Sequence, residues 1–238
     1  MSESKGVLVA IDGPAGSGKS TVSKLVAKRL GVAFLDTGAM YRGLTLACLG
    51  QRIPLDHVAQ VLEEADQMKF RFEGTVDEPR FYLGDDEVTT QIREVDVAEN
   101  VSTVAGLIPV RKWMAGEQRR QMLAARDLGT GMVAEGRDIT TVVCPDADVK
   151  VLLLADPEAR VRRRTLEMYG KATPELLEKT RSLVEGRDQV DSLVSEFMEP
   201  AEGVTVIDSS NMTIDEVVDT VIGMVATIKG EHVEKSGQ

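Results

Sequence analysis

Apolar positions recur along this chain in two rhythms, and the rhythms mark out its elements. Residues 7–11 (Val, Leu, Val, Ala, Ile) run unbroken up to Asp12, the pattern of a strand buried on both faces. Val22, Leu25, Val26 and Leu30 then repeat at helical spacing, and Gly31 stops that helix. Residues 32–35 read as a second short strand, and residues 39–49 as a helix. Pro54 and Asp56 open another helix carrying Val58, Val61, Leu62 and Ala65. The texture changes at residues 69–73 and 80–83, which alternate apolar with polar, and Gly84 breaks the run before residues 87–89. These are hairpin signals of a small antiparallel sheet, foreign to a chain that otherwise alternates strand and helix.

Residues 67–104 therefore read as a β-rich insert, either a mobile substrate clamp or a structural addition. Pro109 begins a long helix to about Arg126, with Trp113 and Met114 inward and Arg111, Lys112, Arg119 and Arg120 towards solvent. Residues 132–134, 149–156 and 204–207 supply three further strands. Helices are expected from Pro157, over residues 174–188, and through Ile214, Val217, Val218, Val221 and Ile222. Residues 231–238 read as a frayed polar tail. The whole is an α/β pattern of one domain.

Between the first strand and the first helix lies Gly13-Pro14-Ala15-Gly16-Ser17-Gly18-Lys19-Ser20-Thr21, which fits the phosphate loop G-x-x-x-x-G-K-[ST]. Glycines let the backbone turn its N–H groups inward and approach a polyphosphate without Cβ clashes. The helix that follows aims its free N–H groups at the same anion. Lys19 offers a charge to the outer phosphates, and the Ser20 hydroxyl can hold a magnesium ion bridging them. The strand before and the helix after set this stretch apart from an ordinary glycine-rich turn.

Composition narrows the partners. The formal net charge of −11 and an aromatic content of 4% argue against nucleic acid and anionic membrane as ligands. An acidic protein that binds anions must gather its cations in a cleft. Cys48 and Cys144 lie far apart, without metal-ligand spacing, and His57 and His232 have no evident partners. No apolar run reaches membrane-spanning length, so a reducing cytosol is the expected compartment.

Ligands of open α/β sheets sit beyond the carboxyl ends of the strands, where Asp36, Thr37 and Arg42 fall. A capping Asp36 or Thr37 with a solvated Arg42 is the plainer alternative. Arg160, Arg162, Arg163 and Arg164 crowd five positions and span more than half of a helix, so they cannot all face one partner. Either they form a solvated basic face, or a lid brings Arg160, Arg163 or Arg164 onto a transferring phosphoryl group.

Taken together, the phosphate loop, the stretch Leu35-Asp36-Thr37-Gly38-Ala39-Met40-Tyr41-Arg42 and the stretch Gly136-Arg137-Asp138, with Thr141-Val142-Val143 and Pro145-Asp146-Ala147, resemble bacterial cytidylate kinase. The resemblance implies a nucleoside monophosphate kinase fold: a parallel five-stranded sheet flanked by helices, a monophosphate-binding insert at 67–104 and a helical lid at 157–190. It implies transfer of the γ-phosphoryl group of ATP, with magnesium, to CMP or dCMP, in a protein expected to be a monomer. Arg42 and Arg137 would hold the acceptor phosphate. Ser102, Arg111 and Asp138 would read cytosine, and Arg187 with Asp191 would face the sugar. Lys19, Arg137, Asp138, Arg160 and Arg164 are the implied catalytic set. Asp12 and Asp36 could orient magnesium-bound waters, and Thr37 stands where the family often has serine.

One departure stands out. Beyond Arg187-Asp188 and Asp191-Ser192 the family usually places an arginine and then a Pro-Leu pair, whereas this chain has Leu193, Val194 and later Pro200-Ala201. Either acceptor affinity or turnover is lower than the family norm, or another arginine substitutes; in the first case Val194→Arg should strengthen CMP binding. The alternatives are a kinase for another small acceptor and a nucleotide-hydrolysing switch or motor. Residues 151–156 mimic a strand ending in a magnesium-binding aspartate, but Pro157 stands where an ATPase usually carries its catalytic glutamate, and no N-K-x-D motif occurs.

Overall fold

A computed structural model describes residues 5–75, 77–192 and 199–236; the side chains at 167, 187, 188, 190–192, 229 and 231–236 lie outside that description. Five parallel strands form the main sheet: β1 (Leu8–Asp12), β2 (Ala33–Asp36), β6 (Met132–Gly136), β7 (Val149–Leu154) and β8 (Thr205–Asp208), in the order β2-β6-β1-β7-β8. All five residues of the central β1 are buried, because it is paired on both edges and packed on both faces. Alternate residues then serve two cores. Leu8 and Ala10 join one cluster with Met40, Leu44, Met114 and Met122, while Val9 and Ile11 join the other with Val22, Val26, Val218 and Val221.

The second core is closed by α1 (Lys19–Leu30) and α8 (Ile214–Ser236). The first is closed by α2 (Thr37–Gly50), α3 (Val58–Gln67), α4 (Val95–Ala105) and α5 (Ile108–Asp127). Gly31 caps α1 in the left-handed conformation, as the pattern predicts. Cys48 and Cys144 are free, buried core thiols.

The hairpin signals are realised as a separate antiparallel sheet of β3 (Phe70–Gly74), β4 (Pro79–Leu83) and β5 (Asp86–Glu87). Phe70 and Phe81 stack at 6.1 Å and belong to the first core, so this sheet shares apolar contacts with the main body. The part of 67–104 after β5 is helical, comprising a short 3₁₀ turn and α4. Other boundaries also shift. Pro54 and Asp56 lie ahead of α3, whose N-cap is His57. Strand β7 stops at Leu154, because Asp156 caps α6 (Pro157–Tyr169). Helix α7 (Pro174–Ser192) outruns its expected end, and α8 continues to Ser236 where a frayed tail was expected.

Candidate active site

The strand order places three chain ends side by side. The carboxyl end of β1 lies between those of β6 and β7, and Asp36 at the end of β2 is level with Glu135 in β6. The phosphate loop leaves β1 at this switch point. Gly16 and Gly18 have φ of 74° and 91°, the left-handed region in which a side chain is strained, and α1 begins at Lys19. Lys19 is buried, and its Nζ donates to the loop's own Pro14 carbonyl at 3.2 Å. The Ser20 hydroxyl donates to Glu135 Oε2 at 2.8 Å.

Glu135 is the residue that sequence reasoning missed. It is the penultimate residue of a strand otherwise made of small and apolar residues, and an acid in that position was the available signal. Burial raises its pKa, and the charge of neighbouring Asp36 adds to the rise, while Lys19, the Ser20 hydroxyl and Arg137 oppose it. Asp36 ends up on the other side of the balance. Burial works against its carboxylate, but Arg42, the Ala39 amide, Arg93 and Lys24 together hold its pKa below the ordinary value. The two acids thus feel the charges of nearby cations, Arg42 at Asp36 and Lys19 and Arg137 at Glu135.

Asp36 is an N-cap, as the plainer reading of the sequence had it: its Oδ1 accepts from the Ala39 amide at 2.8 Å. Its Oδ2 accepts from Arg42 Nη2 at 2.9 Å, so the same carboxylate also steers the arginine one turn on. Arg42 Nε is buried without a hydrogen-bond partner among the described residues. The Thr37 hydroxyl donates to the Glu135 carbonyl at 2.7 Å and pins the start of α2 to β6. Arg137 and Asp138 follow β6 directly.

Helical periodicity placed Arg111 towards solvent; the fold corrects that. Its side chain is 12% exposed and paired with Asp138, and it also donates to the Ala105 carbonyl at 3.3 Å. Periodicity within α5 could not show that the turn after β6 would come to meet it. Ser102 is half-buried in the last turns of α4, ahead of α5. Arg187 and Asp191 lie on α7, with side chains outside the described residues, and Leu193 and Val194 are likewise outside them.

Asp12 is committed elsewhere. Both its oxygens are taken, by the amides of Ile139 at 3.0 Å and Thr140 at 2.7 Å and by the Thr140 hydroxyl at 2.7 Å. It holds the turn after β6 against β1, a structural use beyond the magnesium-orienting one expected of it. Burial pushes its pKa up to about 6 against these hydrogen bonds. Asp156, the other candidate for a magnesium aspartate, accepts from the Glu158 and Ala159 amides as the cap of α6.

Helix α6 packs directly on the phosphate loop. Arg160 is buried and its Nη1 donates to the Ala15 carbonyl at 3.1 Å. Arg163 Nη1 reaches the Ser17 carbonyl at 3.4 Å and the Ser209 hydroxyl at 3.1 Å, and its Nη2 the Ser209 carbonyl at 2.8 Å. Arg164 is half-buried on the same helix.

With this geometry in view, the family model described as cytidylate kinase matches residues 9–227. The chain belongs to the cytidylate kinase family. Among curated relatives, a cytidylate kinase of Cutibacterium acnes is 43% identical over 222 residues, covering 92% of this chain and 96% of that protein. One of Limosilactobacillus reuteri is 43% identical over 230 residues, covering 95% and 98%. A solved structure, TT1252 from Thermus thermophilus, aligns at 18% identity with a TM-score of 0.49, covering 94% of this chain and 97% of that one. The loop, the Asp36–Arg42 stretch and the Gly136–Asp138 stretch all lie within the matched residues. Among the described residues no helix is long and apolar enough to cross a membrane.

Proposed function

We propose that this chain transfers the γ-phosphoryl group of ATP to CMP or dCMP, giving ADP and CDP or dCDP. The observation that carries the reading is the pair Asp36 and Glu135, level on adjacent strands, with Arg42 bonded to the first, Ser20 of the phosphate loop bonded to the second, and the charges of Lys19 and Arg137 acting on the second. A donor polyphosphate and an acceptor monophosphate are both anions, and these cations suit both at one sheet edge.

The loop amides and Lys19 bind the β- and γ-phosphates. Arg42 and Arg137 hold the dianionic acceptor phosphate, whose oxygen attacks the γ-phosphorus in line as the bond to ADP breaks. No base is needed, because that oxygen carries no proton when ionised. Arg160 and Arg164 supply charge to the transferring group, the insert at 67–104 closes on the acceptor, and the helix pair at 157–190 acts as a lid that excludes water.

Arg111 donates to the O2 and N3 acceptors of cytosine, and Asp138 with Ser102 accepts from its amine. Arg187 and Asp191 face the sugar. Uracil would set a carbonyl against Asp138, acceptor against acceptor, which disfavours it.

The site suits magnesium in the mode of one hydroxyl with phosphate and water ligands: Ser20 Oγ is held by Glu135, and among the described residues no cluster of three ligating side chains forms a cage. Bound there, magnesium would neutralise charge shared by the β- and γ-phosphates. The switch reading loses its magnesium aspartate to the cap of α6.

A coupled assay for ADP across CMP, dCMP, UMP, AMP and shikimate tests the proposal. Turnover is expected with CMP and dCMP ahead of the others; ATP consumption indifferent to the acceptor would refute it.

A further inference from the structure

A phosphate loop that turns its amides inward leaves its carbonyls pointing outward. A trans peptide sets C=O and N–H on opposite sides, so whatever grips the carbonyl of one residue aims the amide of the next. Among the described residues no peptide is cis. The Ser17 carbonyl and the Gly18 amide belong to one such unit, and Gly18 has no Cβ to limit its rotation.

Two donors grip that carbonyl from outside the loop. Arg163 Nη1 lies at 3.4 Å and the Ser209 hydroxyl at 3.3 Å. Ser209 is itself fixed, because its amide donates to the Leu154 carbonyl at 2.8 Å and its carbonyl accepts from Arg163 Nη2 at 2.8 Å. Ser209 and Ser17 are 3% and 1% exposed, so the contacts are sheltered from water. The Ser17 hydroxyl has no partner among the described residues, which leaves the backbone as the means by which Ser17 is held. One guanidinium therefore ties the loop, the end of β8 and helix α6 together.

We propose that Arg163 is a positioning residue for the ATP phosphates, acting through the Ser17–Gly18 peptide of the loop and without touching the nucleotide. It aims the Gly18 amide at the phosphates and, by polarising the shared peptide, makes that amide a better donor. Ser209 is its neutral assistant. The inference rests on the phosphoryl-transfer reading for its meaning but concerns the donor half of the site alone.

Inorganic tripolyphosphate, which has neither base nor sugar, is the probe. Its binding and that of CMP are measured by calorimetry on the full chain and on Arg163→Gln, Arg163→Lys and Ser209→Ala, with the Gly18 amide followed by NMR. Losing a charged donor is expected to weaken tripolyphosphate binding about tenfold in Arg163→Gln, and losing the hydroxyl about threefold in Ser209→Ala. CMP affinity should hold in both, the Gly18 amide proton should move upfield in both, and Arg163→Lys should recover only part of the loss.

Tripolyphosphate affinity unchanged in Ser209→Ala with a stationary Gly18 resonance would overturn the inference. So would full recovery in Arg163→Lys, the behaviour of a charge acting through space, or a parallel loss of CMP binding. Failure of the kinase reading would show instead in the unsubstituted protein, as absence of CMP-dependent turnover.

Discussion

Lys19 and Asp12 differ in what their burial is for. Lys19 is buried against the Pro14 carbonyl, a partner that a phosphate can replace. Lys19→Ala should lower kcat/KM for ATP by about 10²- to 10³-fold in the ADP assay, the size of effect seen when one preorganised donor is removed. Asp12 is buried to hold a turn, and its folded pKa stands at about 6 against an ordinary 3.8. The native state therefore binds this proton more tightly than the unfolded chain does. Its contribution to stability is fully present below pH 3.8 and is lost as the pH rises through 6, a change of roughly 3 kcal/mol. Urea unfolding of Asp12→Asn across pH 4 to 7 should lack that decline, whatever the variant's overall stability. Identical pH slopes in the two proteins would contradict the assignment.

At the scale of elements, the approach of α6 to the phosphate loop is set by a missing side chain. A Cβ at Gly16 would lie 2.7 Å from the Arg160 carbonyl oxygen, and the φ of 74° adds strain. Gly31 offers a matched control, with φ of 67° and nothing within 4 Å. Gly16→Ala should displace α6 and raise KM for ATP about tenfold, since the helix carries two guanidiniums that hold loop carbonyls. Gly31→Ala should cost about 1 kcal/mol in urea unfolding with normal kinetics. Equal kinetic behaviour of the two variants would show that close packing of α6 on the loop does not matter. Nothing in the chain's periodicity distinguishes these glycines. Their conformations are alike, and only the neighbour brought in by tertiary packing separates them.

For the whole molecule, the consequence is a selective response to ligand. A monophosphate that binds the native state stabilises it by mass action, and at a hundred times its dissociation constant the midpoint of thermal unfolding should rise by roughly 5–10 °C in a chain of this size. CMP and dCMP should produce this rise, and UMP at the same concentration a smaller one. Equal shifts for CMP and UMP would remove the role given to Asp138. Much of the architecture behind this response was legible beforehand. The five apolar strands, the hairpin insert and the phosphate loop all follow from local pattern, because a buried strand, an amphipathic helix and a glycine turn each carry their signature in adjacent residues.

Sequence by itself determined the loop that holds phosphates, the capping role open to Asp36, and the family to which the order of motifs points. Those features depend on neighbours a few positions apart. Tertiary structure decided which acids and cations share a space. Glu135 meets Ser20 across 115 positions, Arg163 meets Ser17 across 146, and Asp12 meets Thr140 across 128. Such partners are chosen by strand order and register, which set β6 beside β1 and brought α6 onto the loop, and no local pattern in the chain encodes that choice.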